Sequence, residues 1–157
     1  MSTNKIIIRP AQRSDAARLH ELHTVSVRTL CKNHYSEEVI DGWLLNRSPA
    51  GYHSPIDSCA LFIAELEDQI AGFGEATKGA VVAVYVDPKY IHQGIGTRIL
   101  AHAIEKARDG HSGPVRLEST LNARIFYEKA GFRVLKHSTV KRNHVEIPVV
   151  IMEYDVG

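Results

Sequence analysis

Cysteine is scarce in this chain: Cys31 and Cys59 are the only two in 157 residues, and their spacing frames no metal site. That excludes a disulfide-stapled secreted scaffold and a zinc module, and makes a reducing cytoplasm the expected compartment. An excess of one charge is missing too. Nineteen Lys and Arg against eighteen Asp and Glu leave a formal net charge of +1, so no global basic field draws in nucleic acid. No apolar run is long enough to span a bilayer and no signal peptide is recognisable, so no membrane partner is expected. The nine histidines are scattered, with no pair in a zinc-like frame, and no metal is expected. Repeats and low-complexity tracts are absent. What remains is one domain over 1–157, with 44% hydrophobic residues, enough to bury a sizeable core.

The chain is organised around residues 81–100. Val81-Val82-Ala83-Val84-Tyr85-Val86 has no charged member, which predicts a strand buried on both faces in the middle of a sheet. After Asp87-Pro88 comes Gln93-Gly94-Ile95-Gly96-Thr97, opening a helix whose Ile95, Ile99, Leu100, Ala103, Ile104 and Ala107 recur at helical spacing. Glycines at a helix start let the main chain approach a ligand, and the free first-turn N–H groups suit a phosphate.

Ile6-Ile7-Ile8-Arg9-Pro10 predicts a first strand, and Ser14-Asp15 a helix N-cap before an inward face of Ala16, Leu19, Leu22 and Val25. The period lapses near Cys31–Tyr35, a candidate site loop, and Ser36-Glu37-Glu38 opens a second helix with Val39, Ile40, Trp43 and Leu44. Residues 46–58, holding Pro49, Gly51 and Pro55, read as a loop. Leu61–Leu66 and Ile70–Glu75 predict a hairpin, in which Gly72 and Gly74 mark a bulge or a close approach. Val115–Glu118 predicts a strand parallel to 81–86, because a helix separates the two. A short helix over 122–130 and a final hairpin of 132–140 with 145–154 complete the chain. Pro148 predicts an edge position or a bulge for the last strand.

Several phosphate ligands were compatible with the glycines alone. A dinucleotide fingerprint fails because Ile99 stands where its third glycine belongs and seven residues separate strand from glycine. A P-loop fails because no Gly-Lys-Ser/Thr follows.

Val84 to Thr97, followed by Ala123-Arg124-Ile125-Phe126-Tyr127-Glu128-Lys129-Ala130-Gly131-Phe132, resembles the GCN5-related N-acetyltransferase (GNAT) family. Within it, the Tyr35-Ser36 helix start, Trp43 and the C-terminal hairpin resemble a YafP-like bacterial branch. The resemblance implies an α/β (α+β) fold: a mixed, mostly antiparallel sheet with a parallel pair splayed around acetyl-CoA and helices on both faces. It implies acetyl-CoA as co-substrate. Main-chain groups of Val84 and Val86 would pair with the pantetheine arm, and Tyr85 between them is also expected to touch the cofactor. The amides of Gln93, Gly94, Ile95, Gly96 and Thr97 would take the pyrophosphate, with Arg98 adding charge, Asn122 reaching the pantetheine and His92 also among the cofactor-binding residues. The chain departs from the family at Ile91, often Gln or Arg, and at Thr120, often Asn.

By the resemblance, Tyr127 would protonate the departing thiolate while an acceptor amine attacks the thioester directly. That amine is mostly protonated at neutral pH and needs a base. Ala80 stands where some relatives carry a glutamate, which leaves Glu118 and Glu75 as candidates, with His34 and His137 behind them. His34, Tyr35 and Trp43 would line the acceptor side. A small-molecule or peptide amine is the expected partner, with monomer and homodimer both open. The alternative is a non-catalytic acyl-CoA-binding sensor or interaction module, motivated by the apolar Ile91 and Ala80.

Overall fold

Alternating apolar residues decide which strand faces are covered. The computed structural model describes residues 5–155, in which β2 (Leu61–Leu66) sends Phe62, Ala64 and Leu66 to one face and Leu61 and Ile63 to the other. All five are buried, as period-two geometry gives when helices lie on both sides of a sheet. The other strands are β1 (Ile6–Pro10), β3 (Gln69–Thr77), β4 (Ala80–Val86), β5 (Val115–Ser119), β6 (Arg133–Arg142) and β7 (Val145–Tyr154). They form a seven-stranded sheet in the order β1-β2-β3-β4-β5-β7-β6. Every neighbouring pair is antiparallel except β4 with β5.

Helices α1 (Ala16–Leu30), α2 (Glu37–Leu44) and α3 (His53–Asp57) lie on one face, and α4 (Ile95–Arg108) and α5 (Arg124–Lys129) on the other. α4 lays Ile95, Ile99, Leu100, Ala103 and Ala107 on the sheet, the face its period predicts. It comes close because β3 lacks side chains beneath it. A Cβ on Gly74 would stand 2.5 Å from Phe62 and 2.6 Å from Ile99, and one on Gly72 2.8 Å from Ile99. The close approach expected at these glycines is therefore helix packing. The bulge in β3 falls nearby, between Glu75 and Ala76 against β4.

Several expectations are corrected. β4 is central, but only Val81 is buried and Val82 is 51% exposed; β2 is the strand covered on both faces. The cause is that β4 and β5 part company, as described below. The start of α1 is organised by Asp15, whose carboxylate accepts from the Gln12 amide at 2.8 Å and from Arg9 at 3.0 Å, and Ser14 plays no capping part. Val25 is 41% exposed, so the inward face of α1 continues through His23, Ser26 and Val27 instead. Residues 46–58 are not simply a loop: a 3-10 turn over Pro49–Tyr52 runs into α3, driven by burial of Tyr52 and Ile56. Finally, β7 lies between β5 and β6, and the sheet edge is β6. Pro148 is tolerated there because β5 ends opposite Val150, so Pro148 has only β6 alongside.

Candidate active site

β4 and β5 pair in register at one position only, Ala80 with Arg116. Beyond it they diverge, so the β5-facing main chain of Val82 to Val86 lacks ladder partners while the other side stays bonded to β3. Free strand edges of this kind accept an extended ligand as an added strand.

A cavity of ≈ 340 Å³ opens beside that edge. Val84, Tyr85 and Val86 form one wall, while His92, Gly94, Ile95, Gly96 and Thr97 form one end. Gly94 is the N-cap of α4 and sits at φ +80°, the left-handed region in which glycine is unstrained. Its carbonyl already takes the Arg98 amide at 3.1 Å, so the first-turn amides of Ile95, Gly96 and Thr97 are the ones left without helical partners. They carry the positive end of a fourteen-residue helix. The cavity end thus suits an anion, and Gly96 leaves room beside the amides by presenting no side chain. The preceding 3-10 turn Pro88–Tyr90 is held by Asp87, which accepts from the Lys89 amide at 3.0 Å and from Arg18 at 2.6 Å. Burial pushes the Asp87 carboxyl up, but Arg18 and the Lys89 amide more than offset this and hold it below the usual range.

Tyr127, on α5, lines the opposite wall. Its ring packs against Phe126 and Phe132, and burial raises its phenol pKa, so the hydroxyl stays protonated at neutral pH. Asn122 shares this wall, and its Oδ1 is buried without a hydrogen-bond partner, a group that a ligand amide would satisfy.

A second cavity of ≈ 230 Å³ lies on the α1–α2 side. Tyr85 and Thr120 line both cavities, so the two meet across the gap between β4 and β5. Glu75 and Glu118 reach the second one from strands on either side of that gap. Glu75 is half-buried beside the β3 bulge, and desolvation raises its pKa, whereas Glu118 is exposed. Trp43 contributes an aromatic wall, and Arg47 and Arg142 bring cationic charge.

The family description "Acetyltransferase (GNAT) domain" matches residues 31–155. The chain belongs to the GNAT family. It is 22% identical over 138 residues to an uncharacterised N-acetyltransferase, YafP, of Escherichia coli (strain K12), with 88% of each chain covered. Among solved structures it resembles a GCN5-related N-acetyltransferase from Rhodopseudomonas palustris, with a TM-score of 0.90 at 23% identity, covering 99% of this chain and 98% of that one. The PaiA N-acetyltransferase of Thermoplasma acidophilum, solved in complex with coenzyme A, matches with a TM-score of 0.78 at 25% identity, covering 96% and 99%.

The expected splayed parallel pair of the GNAT fold is present, and ten of the residues expected around the donor, Val84, Tyr85, Val86, His92, Gly94, Ile95, Gly96, Thr97, Asn122 and Tyr127, line one cavity. Gln93 and Arg98 are exposed and do not line it, because Arg98 points off the outer side of α4. On the acceptor side, Trp43, Glu75 and Glu118 come together, but His34 and Tyr35 do not join them. Tyr35 is buried and its hydroxyl is already used: it donates to the Pro148 carbonyl at 2.6 Å and accepts from the Leu121 amide at 2.9 Å. That makes it a strut between α2, β7 and the segment before α5. His34 and His137 are exposed and line neither cavity.

Sequence reasoning missed His23, Arg47 and Tyr52, and gave Cys31 only as the first residue of a candidate site loop. Arg47 Nη2 donates to His23 Nδ1 at 2.7 Å, and Tyr52 Oη lies 2.8 Å from the same nitrogen. Burial, and then the Arg47 charge, depress the His23 pKa to about 3, so its ring is neutral with the proton on Nε2. Cys31 lines the donor cavity, and burial pushes its thiol up to about 11. The signal that would have found His23 is its place on the inward stripe of α1.

Proposed function

We propose that this GNAT protein transfers the acetyl group of acetyl-CoA to the amine of an acceptor by direct attack across the junction of the two cavities. The observation that carries this reading is the meeting of those cavities at Tyr85 and Thr120, with a protonated phenol on one side and carboxylates on the other. The free edge of β4 pairs with the pantetheine arm, and the Ile95–Thr97 amides take the pyrophosphate. Asn122 Oδ1 accepts from a pantetheine amide.

The acceptor reaches the second cavity as an ammonium. Glu75, acting through water, takes its proton; the raised carboxyl pKa brings this base nearer the operating pH than an ordinary glutamate. A new N–C bond forms as the C–S bond breaks, and the sulfur leaves with the electron pair. Tyr127 supplies the proton that makes this a thiol, and the second proton that the new amide nitrogen must lose returns through water to the tyrosinate.

The test is thiol release from acetyl-CoA by the purified protein across a panel of amines and peptides. Amine-dependent release is expected, with Tyr127→Phe lowering turnover about 10²-fold at nearly unchanged acetyl-CoA affinity. Binding of acetyl-CoA with no release above hydrolysis for any acceptor would replace this reading with that of a non-catalytic acyl-CoA sensor.

A further inference from the structure

The acceptor-side cavity holds charges of both signs that do not satisfy one another. Arg47, Arg142, Glu75 and Glu118 all line its ≈ 230 Å³. Among the described residues none of the four takes part in a salt bridge. Arg47 bonds only to neutral partners, His23 and Tyr52, and Arg142 Nη1 donates only to the Lys141 carbonyl. Glu118 and Arg142 are exposed and Arg47 and Glu75 half-buried, so two cations and two anions line the cavity without pairing.

A further buried group waits at the same place. His23 is 6% exposed and lines this cavity, and its Nε2 has no hydrogen-bond partner. Because Arg47 can only donate, Nδ1 must accept, which leaves an N–H on Nε2 with nothing to bond to. Buried donors in native folds are nearly always satisfied, and His23 lines a cavity from which a ligand would supply the acceptor.

We infer that the acceptor is a zwitterionic amino acid, its amine set against Glu75 and Glu118 and its carboxylate held by Arg47, Arg142 and the His23 Nε2–H. This rests on the transferase reading above and narrows it. Trp43, Ile147 and Val149 line the rest of the cavity and take an apolar side chain. Other acceptors fit the charges less well. A diamine sets its second cation against two guanidinium groups, and a lysine within a peptide brings no carboxylate near its amine.

The experiment compares kcat/KM for leucine and phenylalanine with their carboxamides, with the decarboxylated amines, with putrescine and with an N-acetylated lysine peptide. The amino acids are expected to exceed their carboxamides by about tenfold or more, the scale of one charge-assisted contact. Arg142→Gln, at an exposed position that the fold does not need, should narrow that ratio mainly through KM. Arg47→Gln should narrow it as well, with partial recovery in Arg47→Lys. Carboxamides, putrescine or the peptide preferred over the amino acids, or a ratio unmoved by Arg142→Gln, overturns the inference while leaving the transferase intact. Thiol release with no member of the panel overturns the transferase reading, and this one with it.

Discussion

His23 makes this fold acid-labile by a calculable amount. Its ring is buried, packed at a 38° tilt against Tyr85 with ring centroids 4.2 Å apart, and held neutral by burial and by Arg47 down to a pKa of about 3. In the unfolded chain it titrates normally, near 6.5. The unfolded state therefore binds a proton that the native state refuses, and stability falls as pH drops through 6.5. At 1.36 kcal/mol per pH unit, the loss between pH 7 and pH 5 is about 1.9 kcal/mol. That figure depends only on the ring staying neutral at pH 5, not on how far below 5 its native pKa lies. Glu75 acts in the opposite sense, since its raised pKa favours the native state as pH falls, so the measurement must isolate His23. Urea unfolding of the wild type and of His23→Gln at pH 7 and pH 5 does so. The variant should lose about 2 kcal/mol less on acidification than the wild type. Equal losses in the two proteins would mean that native His23 takes up a proton at pH 5 as readily as the unfolded chain does, and Nδ1 would then no longer accept from Arg47.

The remaining predictions concern each wall of the site. Gly96→Val should weaken acetyl-CoA binding about tenfold or more by calorimetry with little change in Tm, because a Cβ there meets Phe126 at an ordinary 3.4 Å; unchanged affinity would move the pyrophosphate elsewhere. Glu75→Gln should reduce acceptor turnover yet raise Tm at pH 7, a gain that fades on acidification as the native glutamate also becomes neutral; loss of turnover in Glu118→Gln alone would transfer the base role. Asp87→Asn should loosen the turn before α4 and cost about 1 kcal/mol of stability above the carboxylate range, with the difference from wild type vanishing as pH falls through the depressed native pKa.

The donor half of the site was legible because its chemistry is local in the chain. Gly94, Gly96 and the apolar period of α4 lie within one turn-and-helix segment, and that segment leaves its own first-turn amides without helical partners at the cavity end. Tyr127 lies on a short helix whose glycine stop is also readable. What the residues of β4 did not disclose is its exposure: six apolar side chains predict burial, but the strand borders a gap that exists only because β5 diverges after one register pair. Divergence is a property of how two strands pack, and no residue in either strand encodes it alone.

The acceptor half was largely illegible for a related reason. Its cavity draws His23 from α1, Trp43 from α2, Arg47 from the segment after it, Glu75 from β3, Glu118 from β5 and Arg142 from β6. Trp43, Glu75 and Glu118 were named through the family resemblance, but His23, Arg47 and Arg142 each read, taken singly, as a lone histidine or an ordinary surface charge, and most such residues are surface groups. Tyr35 shows the converse. Beside a lapse in the apolar period it looks like a site residue, yet its hydroxyl is spent on the Pro148 carbonyl and the Leu121 amide. Whether a polar side chain is free to meet a substrate depends on which partners the fold brings to it. Arg47 and Tyr35 differ in this respect: the tyrosine hydroxyl has both its donor and its acceptor capacity used, while the guanidinium keeps N–H groups and a full charge facing the cavity.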